Sequence, residues 1–240
     1  MGNAVIHTSG LVKCYRIQNL DQGHAGLFQK LSGGAKKDFW ALREVEFEIE
    51  QGQFVGLLGS NGSGKSTLLK LLAEITAPTT GEIRLKGKVS SMLEVGVGFH
   101  SELSGKENIY LNGSLLGMTK REIDRQLDAI VAFAAVEPFL EVPFKRYSTG
   151  MQVRLAFAVA SHLRTEIMLV DEVLAVGDLT FRKQAIQRML EMTREGSTIV
   201  IVSHDLDMLR SMCTHGIFLK KGQLQSVGPF QQVLETYEKS

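Results

Sequence analysis

The run Gly59-Ser-Asn-Gly-Ser-Gly-Lys-Ser66 constrains this chain more than any other feature. It fits G-x-x-x-x-G-K-[ST] and stands between a short apolar stretch, Phe54–Leu58, and a strong helix former, Ser66-Thr-Leu-Leu-Lys-Leu-Leu-Ala73. A strand handing over to a helix through such a loop is a phosphate cradle. Glycines at 59, 62 and 64 let the backbone adopt positive φ and approach a ligand closely, so consecutive N–H groups and the helix N-terminus point at negative charge. Lys65 adds a cation for β- and γ-phosphates, and the Ser66 hydroxyl is suited to Mg²⁺. Gly59, Ser60, Asn61, Gly62, Ser63, Gly64, Lys65, Ser66 and Thr67 are thus the expected contacts to ATP or GTP.

Composition excludes several classes. With 27 basic and 26 acidic side chains among 240 residues, the chain has no electrostatic bias toward nucleic acid, and 44% hydrophobic content suits a substantial core. The longest apolar runs, such as Ile199-Val-Ile-Val202, fall far short of a membrane span, and the N-terminus lacks a charged-then-apolar leader, so a cytoplasmic protein is expected. Cys14 and Cys213 have neither C-x-x-C spacing nor a histidine partner and read as reduced structural thiols.

Apolar strand-like runs at Phe54–Leu58, Ile167–Asp171 and 198–203 are separated by helical patterns. This alternation predicts an α/β fold with a mostly parallel sheet covered on both faces. Residues 178–194 read as a helix with Phe181, Ala185, Met189 and Met192 on its packed face. From about 94 to 160 the pattern is helical: Thr119-Lys-Arg-Glu122 is a capping box opening a helix through Phe133, and Met151–Leu163 is a second helix. A helical subdomain inserted into one domain is expected, with residues 1–93 and 161–240 forming the sheet core and an antiparallel β part at the N-terminus. Residues 16–38, polar and Gly-rich, are expected to be an exposed insertion. Its Leu31-Ser-Gly-Gly34 lacks a following helix and reads as coincidence. Near the end, Lys220-Lys-Gly222 is expected to turn a hairpin before a terminal helix at Pro229.

Three further sites carry chemistry. Ile167-Met-Leu-Val-Asp-Glu172 ends a strand in two carboxylates: Asp171 is suited to hold Mg²⁺ and Glu172 to orient and deprotonate a water in line with the γ-phosphate. His204 ends the next strand and suits a hydrogen bond to the same phosphate. Tyr147-Ser-Thr-Gly-Met151 precedes a helix, so Ser148 and the N–H groups around Gly150 form a second anion site. Two phosphate-binding faces on separate subdomains suggest a head-to-tail homodimer that clamps each nucleotide between them.

Together, 59–66, 147–151, 167–172 and His204 resemble the phosphate loop, signature, Mg²⁺ strand and switch histidine of an ABC-transporter ATPase subunit, a P-loop NTPase, across essentially the whole chain. Phe39-Trp-Ala-Leu-Arg-Glu-Val45, Leu93-Glu-Val-Gly-Val-Gly-Phe-His-Ser-Glu-Leu-Ser-Gly-Lys-Glu-Asn108 and Asp171-Glu-Val-Leu-Ala-Val-Gly-Asp178 are similar, more narrowly, to the subunits that export O-antigen, capsule and teichoic acid. The resemblance implies a dimer on the cytoplasmic face of the inner membrane, paired with two copies of an integral permease. It also implies export of a lipid-linked polysaccharide, O-antigen before capsule or teichoic acid, in a short form lacking the C-terminal carbohydrate-binding domain. Much of the permease contact is expected between Glu94 and Gly117. Thr149 departs from the commoner Leu-Ser-Gly-Gly-Gln signature. In place of the usual glutamine the chain offers Glu94 or a neighbour, and the adenine-stacking aromatic is Tyr15, with Trp40 as alternative. A small-molecule importer or drug exporter, and a soluble ABC protein on ribosomes or DNA, are the competing classes. The altered signature disfavours the first, and the near-neutral charge the second.

Overall fold

A computed structural model describes residues 3–18, 36–92, 98–162, 165–171 and 178–240. Two sheets organise them. β1 (Ala4–Gln18), β2 (Lys36–Glu50) and β4 (Thr80–Leu85) form an antiparallel sheet in the order β2-β1-β4. β5 (Val89–Met92), β6 (Ile167–Asp171), β7 (Thr198–Val202), β3 (Phe54–Leu58), β8 (His215–Lys220) and β9 (Gln223–Pro229) form the second, in the order β5-β6-β7-β3-β8-β9. All its pairs are parallel except β8 with β9, the expected hairpin. The parallel sheet and the antiparallel N-terminal part agree with the α/β expectation.

The central strands are buried on both faces, which is why they read as continuous apolar runs. Successive residues alternate between two cores. On β7, Ile199 and Ile201 join Phe54, Met168, Phe181 and Met189 on one side. Val200 and Val202 join Val55, Leu57, Leu169 and the α1 residues Leu68 and Leu69 on the other. Helix α1 (Lys65–Leu72) and the antiparallel sheet cover the second face; α5 (Leu179–Arg194), α6 (Leu206–Met212) and α7 (Phe230–Glu238) cover the first.

A third core belongs to α2 (Gly105–Leu115), α3 (Lys120–Ala134) and α4 (Thr149–Ser161), the helical unit. The Thr119–Glu122 capping box opens α3 as expected, and α4 starts two residues earlier than the sequence pattern indicates because Ser148 caps it. Helix α4 is shared between cores. Val153, Phe157 and Ala160 pack with the sheet, while Leu155, Ala158 and Val159 pack within the helical unit. Phe157 is fully buried, with Phe133 and Phe181 rings at 5.7 and 5.8 Å.

The insertion expected over 16–38 is shorter at both ends. β1 continues to Gln18 and β2 begins at Lys36, pairing Arg16 with Asp38 and Ile17 with Lys37. Polar composition concealed these strand ends because a projecting two-stranded ribbon has no core side to enforce apolar alternation. Residues 19–35, Leu31-Ser-Gly-Gly34 included, lie outside the described residues. Among the described residues no helix is long and apolar enough to cross a membrane, and both cysteines are free thiols, Cys213 pushed well above its ordinary pKa by burial.

Phe157→Ala is expected to lower unfolding free energy by about 3–5 kcal/mol, the usual cost of emptying a buried aromatic site. Urea denaturation of the purified chain measures it. Because α4 belongs to two cores, near-ultraviolet signals from both should be lost in one transition.

Candidate nucleotide site

The phosphate loop leaves β3 at Leu58 and enters α1 at Lys65. Gly59, Gly62 and Gly64 have φ of 147°, 77° and 109°, the region the sequence pattern requires of them. Gly64 is also sterically obliged: a Cβ there would lie 2.7 Å from Leu42 Cδ2 and 2.8 Å from the Ala41 carbonyl. At Gly59 it would run into the Leu219 carbonyl and Ser63 Oγ. The loop is pinned from outside. Gly222, in the β8–β9 turn, donates its N–H to the Ser63 carbonyl at 2.9 Å and accepts from Arg43 N–H at 2.8 Å.

Lys65, only 8% exposed, folds its ammonium into the loop and donates to the carbonyls of Gly59 (2.7 Å) and Ser60 (3.1 Å). These bonds hold the Lys65 ammonium inside the loop, where a cation for a bound phosphate is expected. Ser60, Asn61, Gly62 and Ser66 are exposed, Gly59, Gly64 and Thr67 half-buried and Ser63 buried. A cleft of about 170 Å³ opens beside them, lined by Phe39 and Ala41 of β2 and by Asn61, Gly62, Gly64, Lys65, Ser66 and Thr67.

Among the described residues the aromatic in that cleft is Phe39, a position that the sequence motifs do not single out. Tyr15 is its cross-strand partner on β1, with its ring 5.0 Å from Lys13 Nζ. Trp40, the next residue along β2, projects from the opposite face of the ribbon. The available signal was strand alternation, which sets Phe39 and Ala41 on one face.

Three adjacent parallel strands bring the remaining chemistry to the same edge. Asp171, the last residue of β6, lies opposite Val202, the last of β7, and His204 follows two residues later, exposed. β7 pairs on its other side with β3, which delivers the phosphate loop. Glu172 and Glu94 lie outside the described residues.

Ser148 and Gly150 belong to the helical unit. Ser148 is the N-cap of α4, its hydroxyl accepting from Met151 N–H at 3.2 Å. The segment leading to it is clasped to the one that leads into α2: Phe144 N–H donates to Leu103 O (2.8 Å), Lys145 N–H to Ser101 O (2.9 Å), and the rings of Phe99 and Phe144 stack at 4.8 Å. Fully buried Asn108 secures the near side, accepting from His100 N–H at 2.6 Å and donating to the carbonyls of His100, Leu103 and Ser104. Tyr147 donates its hydroxyl to Phe139 O at 2.7 Å, and burial raises its pKa.

The sequence profile described as ABC transporter matches residues 42–175, more than half of the chain. The chain belongs to the ABC transporter ATPase family. This cassette is 39% identical over 213 residues to an O-antigen export system ATP-binding protein of Klebsiella pneumoniae, covering 89% of this chain and 85% of that one. A protein of the same name from Myxococcus xanthus is 42% identical over 200 residues (83% of this chain). A teichoic acids export ATP-binding protein of Lactococcus lactis is 41% identical over 204 residues (85%). The cassette spans only 46% and 44% of the length of these last two. In fold it is similar to a dimeric ATP-binding cassette solved with ADP and Pi, at a TM-score of 0.76 and 22% identity over 94% of this chain and 98% of that one.

Gly64→Ala is expected to displace either Ala41–Leu42 or the loop and to reduce ATP affinity at least tenfold, because the cradle's N–H groups lose their common focus. Equilibrium binding of a fluorescent ATP analogue reads this directly, and affinity within twofold of wild type would contradict it.

Proposed function

We propose that this cassette is the ATP-hydrolysing subunit of an exporter for a lipid-linked surface polysaccharide, with O-antigen the leading cargo. The observation that carries it is the similarity to O-antigen export ATP-binding proteins, which runs through most of the chain at about two residues in five. A second reading, teichoic acid export, is favoured by the 41% identity to the Lactococcus protein.

In this proposal the N–H groups from Gly59 to Thr67 and the Lys65 ammonium bind the phosphates, and Phe39 with Tyr15 beside it receives the base. Ser66 and Asp171 offer a hydroxyl and a carboxylate, the hard oxygen donors Mg²⁺ takes, and the ion would complete its shell with phosphate oxygens and water. Mg²⁺, when bound, neutralises charge shared between the β- and γ-phosphates. Glu172 orients the attacking water and takes its proton, and His204 donates to the γ-phosphate. Ser148 and the N–H groups around Gly150 serve a partner's nucleotide, which requires a symmetric dimer. The dimeric cassette of the same fold supports that arrangement. Two copies of a separate permease would hold the dimer on the cytoplasmic face of the membrane.

Lys65→Ala is expected to abolish ATP binding, and Glu172→Gln to keep binding while slowing turnover by orders of magnitude. Expressed in the native host in place of wild type, Lys65→Ala should leave lipid-linked glycan accumulating inside the cell and missing from the surface. The sugar composition then separates O-antigen from teichoic acid, and unchanged surface glycan would refute the export assignment.

A further inference from the structure

His204 stands in the bend between β7 and α6, and among the described residues three hydrogen bonds help to shape that bend. Asp205 N–H donates to Ser203 Oγ at 3.1 Å, and Asp205 Oδ1 accepts from Met208 N–H at 2.8 Å, capping α6. The third is not local: Arg182, on the first turn of α5, donates to Asp205 Oδ2 at 2.5 Å. The pair is half withdrawn from water, with side-chain exposures of 31% and 40%. The α6 N–H and then Arg182 hold the Asp205 carboxyl below its ordinary pKa.

Capping α6 needs only one oxygen, and Ser, Thr or Asn would supply it as well. The second oxygen of Asp205 is taken up by Arg182. With one oxygen on the helix and the other on the guanidinium, the carboxylate plane is set, and so is the backbone of the residue next to His204. Arg182 is itself anchored. One helical turn before it, Asp178 caps α5 by accepting from Phe181 N–H at 2.8 Å, and its other oxygen lies 4.0 Å from Arg154 on α4. The first turn of α5 therefore joins the Ser148-capped helix to the bend carrying His204.

We infer that Arg182 is a positioning residue for His204, acting through Asp205 to set where the imidazole stands at the sheet edge. The inference rests on the γ-phosphate role proposed for His204. A catalytic group loosened by an ångström loses rate far more than it loses ground-state binding.

The test uses the full chain, with steady-state ATPase and binding of a fluorescent ATP analogue. Arg182→Gln should lower kcat about tenfold with ATP affinity within twofold, and Arg182→Lys should recover most of the loss. Asp205→Asn, which keeps a capping oxygen and loses the charge, should reproduce Arg182→Gln. Combined with His204→Ala, Arg182→Gln should add less than twofold. In NMR spectra the His204 ring resonances should shift in Arg182→Gln and stay in place in Arg210→Gln, which removes the ion pairs that Arg210, also on α6, makes with Asp207 and Glu238. Wild-type kcat in Arg182→Gln, an unmoved His204 resonance, or a full tenfold loss on top of His204→Ala would overturn the positioning role. Wild-type turnover in His204→Ala would instead remove the underlying role of His204, and the inference with it.

Discussion

The parallel ladder β6–β7–β3 is the constraint on which the rest depends. β7 is hydrogen-bonded along both edges and buried on both faces, so its five residues have no freedom of register. A slip of one residue would exchange Ile199 and Ile201 for Val200 and Val202 between the two cores. That penalty holds Asp171 opposite Val202, His204 just beyond, and the phosphate loop at the end of the next strand. No loop residue has to find its neighbours unaided.

The second organising element is α4. A helix apolar on one stripe serves one core, but α4 is buried around most of its circumference because it closes the sheet core and the helical core together. Phe157, with the Phe133 ring stacked on it and the Phe181 ring edge-on to it, ties the helical unit to the sheet. The clasp between the segments flanking α2 and α4 adds backbone hydrogen bonds and the Phe99–Phe144 stack. The exposed Glu102–Lys145 pair across it, at 2.7 Å, contributes little beside these. Ser148 is thus presented on a framework that extends back to residues 99–103.

How legible each part was depended on where its determinants lie. The central strands announced themselves because burial on both faces demands unbroken apolar runs, and α3 because its capping box adjoins an amphipathic repeat. Helix α2 was missed. Its Gly105, Asn112, Gly113 and Ser114 hide any apolar stripe, although Ser104 and Glu107 form the same reciprocal cap that betrays α3. The ends of β1 and β2 read as loop in the sequence because a ribbon paired only with itself carries no burial pattern.

The sequence by itself determined the phosphate loop, the Asp171-Glu172 carboxylate pair and the histidine following β7. Each is a contiguous pattern whose chemistry follows from neighbours a few residues away. Only the tertiary structure decided that Phe39 lines the cleft, that Gly222 pins the phosphate loop, and that Arg182 reaches Asp205. These contacts join residues from about twenty to well over a hundred positions apart. They exist because strand register and helix packing fix the distances between elements, and no local pattern encodes those distances.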